Sequence, residues 1–334
     1  MLNNSDSHRK TQNLSNLVKS SAKYITSQST HVKINTQKLE EYTLSNVLNS
    51  IDNYPSWKSG HFEIDNYDIE TIIAYICVID SLNFCFWPTM KEGYEFEYGD
   101  LVNSLNNMLQ NDKSFFKAER LKGLKCQELQ NVLSMKVDTE FPLLGERCRS
   151  LNEMGEFILS CCDGVFFNLL KNNSFDLNLI MKSILQNVST FRDETIYKGK
   201  QVFMYKRIQI LAADLYSAMK DTKENKIEIK GVEHLTMFPD YRVPQILCEV
   251  GILEYSSKLL ADIKGLIEIF PNSEEEIEIR ANTITVVERM KELLVSKLKR
   301  EDIYSVHIDY LLWNEGEKMR KDIVPHHRTL TIFY

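Results

Sequence analysis

The sequence predicts an all-α fold, a mainly helical single globular domain with at most a few short strands. Three observations carry that prediction. Only 12 Gly and 7 Pro are spread over 334 residues, which suits long helices better than many short strands and turns. Several segments repeat apolar residues at the helical period. Ser273-Glu274-Glu275-Glu276, just after Pro271, has the pattern of a capping box opening a helix.

Taken in order, residues 1–30 are polar and rich in Ser and Asn, and read as a poorly ordered tail merging into a first helix. The division that follows is a poorly ordered or helical N-terminal tail over residues 1–35 and one domain over residues 36–334. Thr71 to Trp87 is apolar and reads as a buried or amphipathic helix feeding an aromatic loop, Asn83-Phe84-Cys85-Phe86-Trp87-Pro88. Leu151 to Leu170, with Met154, Phe157, Ile158, Cys161 and Phe166, keeps the helical period throughout. Leu177–Val188 and Phe203–Met219 follow the same rule. A helix is expected from Pro244, because proline is welcome at the first helical position, and Ile246, Leu247, Val250 and Leu253 supply its apolar face. The helix opened by Ser273 runs to about Lys299; its Glu-rich start and Lys-rich end match the helix dipole. Leu330 to Tyr334 is β-branched and aromatic, a short strand or an extended tail docked on the body.

Composition narrows the function. Hydrophobic residues make up 43% and charged residues 26%, enough for a packed core. The formal net charge of −7 argues against affinity built on neutralising the phosphates of a long nucleic acid. A small anionic ligand is still allowed, because one local pocket can oppose the global sign. None of the seven cysteines forms a CxxC pair, which disfavours a zinc ribbon or a thioredoxin-type site, and free thiols in this number suit a reducing compartment. The start lacks the apolar stretch of a secretory signal, and no apolar run reaches the ~18 residues of a membrane span. The expectation is a soluble cytoplasmic protein that uses neither a membrane nor a polymeric nucleic acid.

Motifs for nucleotide triphosphates, dinucleotides, serine hydrolases and zinc peptidases are missing. His326-His327 are adjacent, so their side chains point apart and give no metal spacing. No metal and no cofactor is expected.

Four features remain. Thr236-Met237-Phe238-Pro239-Asp240-Tyr241-Arg242-Val243-Pro244-Gln245 sets one carboxylate among two aromatics and an arginine at a helix start. The dipole and orphan N–H groups there favour an ionised acid. Asp240 reads either as a helix cap or as a charged acid held against a flat substrate that develops positive charge. Tyr205 to Asp214 is mostly apolar, yet carries Lys206, Arg207 and Asp214. Arg207 and Asp214, seven apart, fall on one helical face, and the segment reads as a structural ion-pair network, with a ligand-facing lysine as the alternative. Asp309 and Trp313 stand four apart, hence on one helical face within ~6 Å. They form either a base-reading pair or a core indole beside a backbone-bonded acid. His61, in Trp57-Lys58-Ser59-Gly60-His61, reads first as a surface histidine and second as a ligand contact.

Together these words resemble the queuosine salvage proteins, a family of queuosine 5′-phosphate N-glycosylases. The likeness rests on Asn83-Phe84-Cys85-Phe86-Trp87, Arg192-Asp193 with Tyr197-Lys198-Gly199-Lys200, and Tyr205-Lys206-Arg207 with Gln209-Ile210-Leu211. It continues through the ten residues around Asp240, Asp309-Tyr310 with Leu312-Trp313, and Pro325-His326-His327-Arg328. It spans the chain from about residue 38 to Tyr334, and the ten-residue segment is its most specific part. The resemblance implies a fold similar to the helical DNA glycosylases. It implies hydrolysis of the N-glycosidic bond of queuosine 5′-phosphate, a small-molecule substrate, with release of the base queuine for re-use in tRNA. It further implies Asp240 as the catalytic carboxylate, Lys206 as its close partner, and Phe238, Tyr241, Asp309 and Trp313 as the base pocket. His61 is a further ligand contact, although Phe62 stands where a polar residue is common in the family. Pro239 replaces a small residue often found before the key acid. The competing readings are a helical module that binds queuine or a nucleotide without chemistry, and a glycosylase of another modified purine nucleotide. A glycosylase acting on polymer is disfavoured by the acidic balance.

Overall fold

A computed structural model describes residues 13–53, 56–62, 64–88, 96–133, 141–222 and 227–334; the tail before residue 13 lies outside them. The helices in chain order are α1 (Leu14–Gln28), α2 (Thr36–Tyr42), α3 (Ile69–Leu82), α4 (Tyr98–Asn111), α5 (Ala118–Gly123), α6 (Cys126–Leu133) and α7 (Leu144–Cys161). They continue with α8 (Phe166–Asn172), α9 (Leu177–Asn187), α10 (Lys206–Asp221), α11 (Arg242–Glu249), α12 (Ser257–Lys264), α13 (Glu274–Leu298) and α14 (Ser305–Met319). The strands β1 (Val32–Ile34), β2 (Glu194–Tyr197), β3 (Lys200–Phe203) and β4 (Leu253–Tyr255) form two small antiparallel pairs, β1 with β4 and β2 with β3. The fold is mainly helical, as its Gly and Pro content predicts.

Two helices make the frame. Every residue of α3 from Ile72 to Leu82 is buried, the mark of a helix enclosed on all sides, and it packs on α7 and α10. The 25-residue α13 carries Ile277, Ile279, Ile284, Val287, Met290 and Leu294 into the core. Ser273 caps it by accepting the N–H of Glu276 at 3.2 Å. The Glu276 carboxylate reaches back to the N–H of Asn272, one residue short of the capping-box partner. Helix α1 lies along α13, with Leu14, Val18 and Ile25 buried.

Three expected boundaries move, each for a visible backbone reason. The periodic stretch from Leu151 to Leu170 is two helices, broken where Asp163 and Gly164 take φ of 54° and 75°, a left-handed pair that ends α7. Phe203 belongs to β3, because Tyr205 is left-handed at φ 55° and α10 begins only at Lys206. Helix α11 opens at Arg242 rather than Pro244, and its apolar pattern stops at Glu249; Leu253 pairs with Ile34 in the β1–β4 ladder. Leu330–Tyr334 is a docked extended tail, with Tyr334 buried and its carbonyl accepting the Cys85 N–H at 2.9 Å.

Candidate active site

One cavity of about 540 Å³ opens between α10, α14, the loop before α11 and the aromatic loop after α3. The residues predicted as functional, Asp240, Lys206, His61, Phe238, Tyr241, Asp309 and Trp313, all line it.

Asp240 stands immediately before α11, where its Oδ1 accepts the N–H groups of Arg242 at 2.8 Å and Val243 at 3.2 Å. It therefore caps the start of the helix and lines the cavity at once. Burial raises its pKa, while Lys206 and the two backbone donors pull it down.

The loop holding Asp240 is tied to the start of α10 by one guanidinium. Arg280 donates from Nε to the Pro239 carbonyl at 3.0 Å and from both Nη atoms to the Asp193 carboxylate at 3.0 and 2.6 Å. Asp193 Oδ2 in turn accepts the backbone N–H of Lys206 at 3.1 Å. Arg280 is buried, lies over the Tyr334 ring, and is held charged by Asp193 and Glu276. Carboxylate and lysine are thus fixed relative to each other through Asp193 and Arg280.

Lys206 is buried, with Nζ donating to the carbonyl and the side-chain oxygen of Asn83, each at 3.1 Å. Burial lowers its pKa to about 8, and the charges of Asp240 and then Asp80 act against that fall. Its neighbour Arg207 is buried too and, among the described residues, forms no salt bridge, although the charges of Asp80 and Asp193 reach it. Its donors go to the carbonyls of Asp80, Thr190, Ile332 and Ser81 and to the Ser150 hydroxyl. The expected ion pair between Arg207 and Asp214 does not form. Asp214 turns instead to the cavity, where its Oδ2 lies 4.0 Å from His61 Nε2.

Asp309 and Trp313 share a face of α14. Asp309 Oδ1 accepts the N–H of Phe238 at 3.0 Å, so it also steadies the loop that carries Asp240. Its pKa is pushed well up, first by burial and then by Asp240. Of the two acids Asp309 is displaced further, which leaves Asp240 as the one that ionises first. Trp313 is half-buried and meets Tyr98 edge-on at 6.3 Å between centroids. Tyr241 stacks on His326 at 4.3 Å. Gly316 allows α14 to approach this loop, since a Cβ there would stand 3.0 Å from Arg242 Cγ and 3.3 Å from its carbonyl.

His61 is not a surface residue. Its side chain is 8% exposed, and its ring stacks on Trp57 with centroids 4.0 Å apart. Burial lowers its pKa to about 3, so the imidazole is neutral. The residues of the aromatic loop divide between the core and the cavity. Phe84 is core and packs under the guanidinium groups of Arg147 and Arg207, while Asn83, Phe86 and Trp87 line the cavity.

Sequence reasoning missed Arg280 altogether, because a lone arginine inside an amphipathic helix gives no local signal of the Asp193 and Pro239 it joins. Away from the cavity, His31, Glu274 and Glu278 place ligand-type atoms within 4.8 Å of one another. Glu278, however, already accepts the N–H groups of Thr30, His31 and Val32 and the Tyr197 hydroxyl, and serves as a loop anchor. Among the described residues no helix is long and apolar enough to cross a membrane.

Comparison with known proteins gives one answer. The family description "Queuosine salvage protein" matches residues 62–334. The chain is 35% identical to a queuosine 5′-phosphate N-glycosylase/hydrolase of Dictyostelium discoideum over 95% of this chain and 98% of that protein. It is 28% identical to one of Bos taurus over 94% and 97% of the two chains. With one of Sphaerobacter thermophilus it shares 35% over 79% and 82%.

Proposed function

The chain belongs to the queuosine salvage protein family, and from that membership we propose that it hydrolyses the N-glycosidic bond of queuosine 5′-phosphate, with Asp240 and Lys206 carrying the reaction and the released queuine re-used in tRNA. The observation that supports this most is the cavity itself: a buried acid that Lys206 pulls back toward ionisation, the buried lysine and an aromatic wall open into one space.

Glycosidic cleavage passes through an oxocarbenium-like sugar. A 7-deaza base has no N7, so a usual protonation site of a leaving purine is missing. The enzyme must then rely on stabilising the sugar cation and on placing water. Asp240 opposes the developing charge and either takes a proton from the attacking water or bonds transiently to the sugar. Lys206 keeps Asp240 ionised. Asp309 accepts N–H groups from the guanine-like edge, and that contact restores the charge that burial resists. Trp313, Phe238 and Tyr241 enclose the base, with His61 on the far wall, so binding energy orients the scissile bond. For the 5′-phosphate, Lys206 already gives two donors to Asn83 and its charge to Asp240, and Arg242 is held by Glu317 and Gln245. Arg328, lining the cavity over the Trp87 ring, is the cation best placed for the phosphate.

Incubation with queuosine 5′-phosphate, followed by chromatography for free queuine, tests the activity. Base release is the expected result, and binding without release would identify a non-catalytic module. Running the same assay on an oligonucleotide containing queuosine checks that the mononucleotide is the substrate; preferred cleavage of the polymer would refute it.

A further inference from the structure

We propose that Asp214, with His61 beside it, recognises the protonated secondary amine that queuosine carries on C7 of its base, which makes Asp214 a specificity-determining residue. The proposal rests on the reading of this cavity as the queuosine 5′-phosphate site.

Helix α10 forms one wall of the cavity through Lys206, Ile210, Ala213 and Asp214. Lys206 and Asp214 are eight positions apart, about 12 Å along the axis, so the cavity continues two helical turns beyond the lysine. At the Lys206 end the charges of Asp240 and Asp309 are felt, and this is where a sugar and a base edge belong. At the other end stand Asp214, His61 and Trp57.

That second end lacks what a buried carboxylate needs. Asp214 Oδ2 and His61 Nδ1 are both buried without a well-formed hydrogen bond, and the Trp57 indole that acts on the Asp214 carboxylate carries no charge. His61 Nε2, 4.0 Å away, belongs to an imidazole that burial keeps neutral. The cation acting on Asp214 is Lys206, two turns off and already shared with Asp240, Asp80 and Asp309. Burial accordingly lifts the Asp214 carboxyl to about 7. An acid left this way in a ligand cavity is completed by a cationic donor from the ligand.

The ligand read for this cavity has one group of that kind. Its phosphate is anionic, and its ribose and base edge are neutral. The C7 substituent alone joins an ammonium to a hydroxylated ring, offering a charged donor to Asp214 and hydroxyls to the free nitrogen of His61.

The test compares two nucleotides on the full chain: queuosine 5′-phosphate, and 7-cyano-7-deazaguanosine 5′-phosphate, which keeps the base edge, sugar and phosphate but is neutral at C7. The native protein is expected to favour the amine in kcat/KM by about ten- to a hundredfold, the usual worth of a hydrogen bond to a charged group, and Asp214→Asn is expected to bring that ratio toward one. Equal rates in the native protein, or a preference that survives Asp214→Asn, would overturn the inference and leave the activity standing. Release of base from neither nucleotide would overturn the reading of the cavity, and this inference with it. Should Asp214→Asn fail to fold, calorimetry on the native protein decides. Queuine is expected to bind at least about tenfold more tightly than 7-cyano-7-deazaguanine, and equal affinities would refute the proposal.

Discussion

Lys206 and Arg207 are neighbours on α10, both buried and both cationic, yet they face different worlds. Arg207 has five N–H donors, and the structure gives them five acceptors. Lys206 has three, and two are used, both on Asn83. Lys206 also lines the cavity and feels the charge of Asp240. A buried charge whose bonding capacity is exhausted holds the fold together, whereas one with capacity left over beside a cavity is available for chemistry. Burial alone separates nothing here, since both residues lose pKa to it.

The largest effect that would break this comparison comes from Asp240→Asn. Turnover should fall by about 10²–10³-fold or more while ligand affinity, read by calorimetry, stays largely intact; full activity in the variant would remove the acid from the scheme. Arg207→Met should cost more than about 3 kcal/mol in denaturant unfolding, because five buried acceptors lose their donor. Lys206→Met should lose less stability than that but about a hundredfold in kcat, through loss of the charge that keeps Asp240 ionised. If the two variants proved equally destabilised and equally slow, the distinction between the two faces of α10 would be gone.

A pH profile sharpens the same contrast. Lys206 falls from 10.5 to about 8 in the folded chain, so activity should decline as pH rises through about 8. The unfolded chain binds more protons at this group between those two values, so its contribution to stability should rise over the same window. Activity and this part of the stability therefore move in opposite directions. Smallest in effect, Trp313→Ala should weaken substrate binding by roughly 1–3 kcal/mol, the scale of base–aromatic stacking, with an unchanged dissociation constant placing the indole outside the base contact.

What the sequence makes legible divides by distance along the chain. The Asp240 loop and the pair Asp309–Trp313 can be read because each is local: a helix start in one case, a four-residue helical step in the other. Asp214 was visible as a charge in an apolar helix but was assigned the wrong partner. Spacing on one helix joins it to Arg207, whereas the fold brings it His61 from a segment that no periodicity connects to α10. Arg280 gave no signal, since its role exists only where α13, Asp193 and Pro239 meet. The break between α7 and α8 was masked by apolar residues that keep the helical period across it, and Asp163-Gly164 was the one local hint. In each miss a long-range contact or a left-handed residue prevailed over local periodicity.

The close seat of Gly316 on Arg242 carries a consequence for how such a chain can drift. The Arg242 guanidinium is anchored by Glu317 and Gln245, so it has no slack to yield to a methyl group. Position 316 is therefore locked to the size and posture of residue 242, and a change at either demands a matched change at the other. A lone substitution at Gly316 should press α14, which carries Asp309, away from the loop that carries Asp240, and the change should surface in how the two carboxylates line up across the cavity before it surfaces as a weaker protein.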